Sequence, residues 1–468
     1  MSLLWALVGF RGANFDQAPH GGVPPEGASR SSLEGPGAAY PAAMNSLLTK
    51  RLASPMTSAL PNEDWFGLSV AISGDTIVVG APKDDIGANR GQGSAYVFVR
   101  TGPGADDWRM MKRLTASDGA EFDEFGTSVA ISGDTVVVGS PFHDLDADDH
   151  GAAYVFQRNH GGADNWGEVE RLTASDGAHE DFFGRSVAIG GETVAVGASG
   201  HGGEEWSRGA AYVFARDEGG TDNWGETQKL IASDGGFADE FGWSIAISRE
   251  SIVVGARGAD VSGTPNQGAA YVFARSQDGD GSWGEVKKLA AADGNYNDLF
   301  GWSIAISGDT VVVGARKLNP SRDTRPASAY VFVRNPANGN WDGVKKLVSP
   351  DSDLVKQFGE SVAISEDTVV VGARSNNLNI LATRSYTSAF IFARNESGEN
   401  NWGLVKQLIP RDDAGQDWFG SSVAISGDTI VAGAPFLSLG PNASSACVYV
   451  RDQGGTDNWG EVKELTAE

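Results

Sequence analysis

The chain has 468 residues, with 36 Lys and Arg against 61 Asp and Glu, a formal net charge of −25, one cysteine, 63 Gly and 18 Pro. Such a field repels phosphate backbones and anionic lipid, which disfavours a nucleic-acid partner, and Cys447 alone can form neither an intrachain disulfide nor a thiolate zinc site. So much glycine without a triplet period describes a chain that turns often, as all-β proteins do, and argues against a helical bundle.

The N-terminal run Met1–Phe10 is apolar, but no basic residue precedes it and it is too short to span a bilayer. No other stretch reaches transmembrane length, so no transmembrane segment is expected. Residues 1–46 are rich in Gly, Ala, Ser and Pro with little to bury, and read as a disordered leader. The segment Leu47 to Ser54 matches Leu/Met-rich strand patterns further on, such as Met111 to Ser117, which places the start of the folded domain at 47 and its end at 468.

Within that domain a Phe-Gly pair recurs at 66, 125, 183, 241, 300, 358 and 419, at intervals of 58 to 61 residues, the length of a sheet of four short strands with loops. The second unit is the clearest. Ser128 to Ser132 is a strand, Gly133-Asp134 a two-residue hairpin turn, and Thr135 to Gly139 the second strand. Gly151 to Phe156 forms a third, with Tyr154 and Phe156 on one face and Ala153 and Val155 on the other; Trp166 to Leu172 forms a more polar fourth. One such sheet cannot bury both faces, so the units must stack, and radial closure removes the unpaired ends of the stack. The expected fold is all-β: a seven-bladed β-propeller of four-stranded antiparallel blades. Two segments, Leu47 to Ser54 and Trp459 to Leu465, compete as the strand that completes the ring.

The succession Phe-Gly, Ser-Val-Ala-Ile-Ser, Val78-Val79-Gly80-Ala81-Pro82 and Ala95-Tyr96-Val97-Phe98 resembles the FG-GAP repeat of integrin α-subunit propellers, and the resemblance runs through all seven units. It implies an extracellular or cell-surface platform for ligand binding or adhesion. Many integrin-type repeats also carry an aspartate-rich calcium loop between the first two strands. Here each unit has a minimal turn instead, from Gly74-Asp75 in the first to Gly427-Asp428 in the last, and two residues cannot surround Ca²⁺ with six to eight oxygens. No cofactor is therefore expected, and calcium binding at the family position is not carried over.

The loops leading into Phe-Gly carry Asp64, Asp123 with Glu124, Asp181, Asp239 with Glu240, Asp298 and Asp417. Equivalent loops of a propeller share one face, so these residues form a candidate acidic crown able to attract a cation or a basic partner; the alternative is a set of solvated, turn-capping loops. Trp243 and Trp302, with Trp65 and Trp418, occur beside these loops in only some units and are candidate partner contacts or plugs of the channel mouth. The seven repeated tryptophans, Trp108, Trp166, Trp224, Trp283, Trp341, Trp402 and Trp459, either pack at the beginning of strand four or form sugar-stacking platforms. Asp144, Asp146 and Asp148 alternate as in a calcium loop, but without its glycine and its terminal glutamate. Asn395 and Asn442 head glycosylation sequons in loops. No metalloprotease, nucleophile-elbow or phosphate-loop motif is present. The expectation is a monomeric, non-enzymatic scaffold that recognises a protein or glycan partner through one face. Alternatives are a multivalent lectin with blade-junction sites and the propeller part of a larger secreted enzyme.

Overall fold

The computed structural model describes residues 64–467 apart from 103, 145–148, 203–206, 219, 221–222, 280, 319–324, 352–356, 375–386, 397, 399–400, 411–417, 436–443, 454 and 457. It contains 28 strands in seven four-stranded antiparallel sheets, each sheet taking its strands in chain order, and no helix among the described residues. The architecture is a seven-bladed β-propeller. In the second blade the strands are Ser128–Ser132, Thr135–Ser140, Ala152–Arg158 and Trp166–Leu172. Ser132 pairs with Thr135 across the two-residue turn, where Gly133 takes φ 55°, as the first central residue of a type II′ turn does.

Between blades the packing is large against small. Phe125, Tyr154, Phe156 and Trp166 of blade two meet Val78, Ala95, Val97 and Leu114 of blade one in one buried layer. The opposite face of blade two, with Val137, Ala153 and Val155, meets Phe183, Tyr212, Phe214 and Trp224 of blade three. The alternation of strand three thus sends its aromatics one way round the ring and its small residues the other. Phe125 packs edge-on against Tyr154 (5.5 Å between centroids) and Phe156 (5.9 Å), and this trio recurs in other blades.

The family signature has a mechanical meaning at each junction. The serine of strand one donates its hydroxyl to the carbonyl of the Phe-Gly glycine in the next blade: Ser69 to Gly126, Ser128 to Gly184, and so on, all at 2.8 to 3.0 Å. The seventh bond, Ser422 to Gly67 at 2.8 Å, joins the last blade to the first. Gly433 of the second strand faces the same carbonyl; a Cβ there would lie 2.0 Å from the Gly67 oxygen, so only glycine allows the approach. A shared core of Phe66, Tyr96, Phe98 and Trp108 with Val431, Val448 and Leu465 completes the ring. Trp459–Leu465 is the fourth strand of blade seven, so the last blade is built from its own four strands, while Leu47 to Ser54 lies outside the described residues. The seven first strands touch their neighbours in turn and form the inner wall. The side chains flanking each Phe-Gly pair gather at one end of that wall.

Candidate functional site

The loop before each Phe-Gly pair is held by its own aspartate. Asp123 Oδ2 accepts from the Ala120 N–H (2.7 Å), Asp181 from Ala178 (2.9 Å), Asp239 from Gly236 (2.7 Å) and Asp298 from Asn295 (2.8 Å). All four are buried, with relative exposures of 1%, 0%, 6% and 4%. Further partners surround three of them: His143 lies 2.8 Å from Asp123, His201 lies 2.8 Å from Asp181, and Arg325 donates to Asp298 at 2.9 Å. The ring does bring these carboxylates to one end of the molecule, but as acceptors inside their turns. Asp64 is half-buried; burial, and then the nearby Asp84 and Asp85 carboxylates, push its pKa up from 3.8 to about 6. Asp417 lies outside the described residues.

Glu124 and Glu240 belong to a different arrangement, one the sequence reading missed. Glu124 pairs with Lys83, and Glu240 with Arg257, whose Nη2 donates to it at 3.1 Å. Arg257 lies against Trp243, 3.1 Å from the ring centroid, and near Trp302 at 4.8 Å. Arg185 takes another place on Trp243 at 4.1 Å, Arg316 stacks on Trp302 at 4.0 Å and Arg374 on Trp418 at 4.2 Å. Glu360 lies between the last two arginines, 2.6 Å from Arg316 and 3.9 Å from Arg374. Trp243 and Trp302 are themselves 5.0 Å apart. An arc of guanidinium groups and indoles therefore runs across blades three to seven, at the Phe-Gly end of the inner strands.

Most of this arc is built at two positions of the repeat, while Glu240 and Trp418 stand directly before Phe-Gly. Arg185, Trp243, Trp302 and Glu360 directly follow Phe-Gly, and Arg257, Arg316 and Arg374 directly follow the second strand's Gly-Ala. At the latter position blades one, two and seven carry Pro82, Pro141 and Pro435. Aligning the seven units would have exposed both as places where chemistry changes on a constant frame. Burial is strong here: desolvation, with Arg374 and Arg257 nearby, pulls the Arg316 pKa from 12.5 down to about 10 despite Glu360.

The repeated tryptophans do something else. All seven are buried, at 5% exposure or less, and several lie under the arginine that ends strand three, such as Arg100 on Trp108 at 4.8 Å and Arg451 on Trp459 at 5.0 Å. At one junction a cavity of about 280 Å³ opens between blades three and four, lined by Thr193, Thr227, Gln228, Arg275 and Trp283. Gln228 bridges that junction, donating to the Trp283 carbonyl and accepting from its N–H, both at 2.7 Å. Of the aspartate run, Asp144 accepts from the Asp149 N–H at 2.8 Å, whereas Asp146 and Asp148 lie outside the described residues. Among the described residues no group of three or more His, Cys, Asp or Glu is placed to hold a metal ion. Asn395 is exposed in the loop after strand three of blade six; Asn442 lies outside the described residues.

Comparison with known proteins agrees with this geometry. A family described as FG-GAP repeat matches residues 61–98, 108–156, 166–214, 224–273, 283–332, 341–392 and 402–450, seven matches of which each after the first runs from the fourth strand of one blade through the third strand of the next. Among solved structures, a protein from Lactobacillus plantarum is similar with a TM-score of 0.50 at 14% identity, covering 83% of this chain and 95% of that one. Sqt1 of Saccharomyces cerevisiae aligns with a TM-score of 0.44 at 11% identity, covering 84% of each chain. At 14% identity the likeness to the Lactobacillus plantarum protein concerns the fold alone. A comparison with curated protein sequences gives no match.

Proposed function

This chain belongs to the FG-GAP repeat family, and from that premise we propose that it is a non-enzymatic binding or adhesion scaffold, acting at the cell surface or outside the cell, which takes a protein or glycan partner on the Phe-Gly face of its ring. One contrast carries the reading. Every repeated tryptophan is buried, while Trp65, Trp243, Trp302 and Trp418, the four beside the Phe-Gly loops, all remain part-exposed and three of them lie against arginines. Trp and Arg are the residues most enriched where protein interfaces concentrate their energy, because a large rigid surface is buried with little loss of side-chain freedom. The scaffold works as a monomer, and the two-residue hairpin turns leave it without need of calcium. The cavity beside Trp283 favours the second reading, a lectin with blade-junction sites, since it sits where a sugar ring could meet an indole edge and hydroxyls.

The deciding experiment compares wild type with the double variant Trp302→Ala, Trp418→Ala on arrays of extracellular proteins and of glycans. The proposal expects a ligand whose binding weakens at least about tenfold in the variant, with a melting temperature close to wild type. Binding that survives the double variant but is lost in Trp283→Phe transfers the site to the blade junction. Binding insensitive to both overturns the assignment to this face.

A further inference from the structure

The arc at the channel mouth contains one cation that differs from the rest. Arg257 is matched by Glu240, and Arg316 and Arg374 by Glu360, as Lys83 is by Glu124 in blades one and two. Arg185 has no such match: among the described residues its guanidinium makes no hydrogen bond or ion pair, only the stacking contact with Trp243. Its nearest carboxylates, Glu240 and Glu124, act on it at longer range and are already engaged. Yet its surroundings are poor in water. Burial, and then repulsion from Arg257, lower its pKa from 12.5 to about 10. The side chain nevertheless keeps partial exposure, at the Phe-Gly end of the inner strands.

Two guanidinium groups therefore share one indole, Arg257 at 3.1 Å and Arg185 at 4.1 Å from the Trp243 centroid, while one carboxylate serves the pair at close range. A desolvated cation without its counter-charge is costly, and a planar fork of N–H donors is shaped for a two-oxygen acceptor. We infer that the mouth of the channel at Arg185, Arg257 and Trp243 is an oxyanion site, which seats a carboxylate, sulfate or phosphate group between the two guanidinium groups. The group arrives either as a free ion or as the acidic side chain of a partner docked on this face. This deepens the binding reading above by giving the chemistry of what its Phe-Gly face receives. It also runs against the net charge of −25, which disfavours the approach of an anion to the molecule as a whole.

The test is a titration of the whole chain with sodium sulfate and with sodium phosphate, at ionic strength held constant with sodium chloride, followed by tryptophan fluorescence and thermal unfolding. The expected result is a saturable change in both signals for wild type. Arg185→Met weakens the ion at least about tenfold, and without oxyanion it melts at or above the wild-type temperature, because an unmatched, part-buried cation has been removed. Arg185→Lys keeps the charge and loses the fork, and weakens the ion less than Met does. Competition of sulfate by a hexaglutamate peptide assigns the group to an acidic partner; saturable sulfate binding without competition assigns it to a free ion. No saturable response in wild type, or the same response in both variants, overturns the inference. Because the titration uses ions alone, its failure leaves the Trp302 and Trp418 array result untouched, and failure on the arrays leaves the titration interpretable.

Discussion

At the scale of single residues, the acidic loops illustrate how differently one residue type is used at equivalent positions. Asp123, Asp181, Asp239 and Asp298 turn inward and accept from the N–H three residues earlier. A sequence cannot distinguish such a carboxylate from one facing water, since both sit in a polar loop with the same neighbours. Asp64 stands at the same place in the first unit but next to Asp84 and Asp85, where units two and three have His143 and His201 in place of Asp84. Its pKa, raised from 3.8 to about 6, means that the folded chain binds more protons than the unfolded chain between those values. Stability linked to this group is therefore present below about pH 4 and lost as pH rises to about 6. Asp64→Asn removes the penalty, so it should raise the melting temperature at pH 7 and change it little at pH 4, measured by thermal unfolding in matched buffers. An equal shift at both values would show that the carboxylate is not strained by burial.

At the scale of the blade, much of the structure was legible because the repeat states it seven times. The strand limits read for unit two, Ser128 to Ser132 and Trp166 to Leu172, coincide with those observed, since alternation and turn residues are local signals. The arginine–tryptophan arc was not legible. Most members occur at repeat positions otherwise filled by proline, leucine, threonine or serine, and contacts such as Arg185 with Trp243 join residues one full unit apart. Departures from the repeat can also be read as energies. The first turn residue takes positive φ in every blade, and is glycine in five; Arg249 and Glu366 hold φ 51° with a side chain attached. A left-handed conformation costs an L-residue about 1–2 kcal/mol, partly offset by the greater unfolded-state freedom of glycine. Glu366→Gly, at an exposed turn, should therefore stabilise the chain by about 1 kcal/mol in urea titration. Gly308→Ala, where a Cβ would meet nothing within 4 Å, should destabilise it by a similar amount through conformation alone. Equal midpoints for Glu366→Gly and wild type would mean that the turn tolerates the strain without consequence.

At the scale of the whole molecule, the same junction is used seven times, and that has a thermodynamic consequence distinct from that of an open stack. In a solenoid, removing a terminal repeat forfeits one interface and leaves the rest standing, so stability falls by a fraction. In this ring blade seven contributes to two layers. It packs Phe419, Ile430, Tyr449 and Trp459 against blade six, and Val431, Val448 and Leu465 against Phe66, Tyr96, Phe98 and Trp108 of blade one. It also supplies the Ser422 hydroxyl to the Gly67 carbonyl, and Thr429 accepts from Arg100 at 3.0 Å. A chain ending at Leu408, after the last strand of blade six, would keep six complete sheets but lay bare the aromatic face of blade one and the small-residue face of blade six. Apolar faces of that size do not stay in water, and the remaining six blades are curved for a ring of seven, so the gap cannot close without breaking the repeated Ser-to-Gly bonds. The truncated chain should accordingly fail to give a monomer with a single sharp unfolding transition, by size-exclusion chromatography and calorimetry, whereas the full chain unfolds as one cooperative unit. A monomeric six-blade chain with a sharp transition would mean that each blade pair is self-sufficient, and that closure serves only to position the Phe-Gly face.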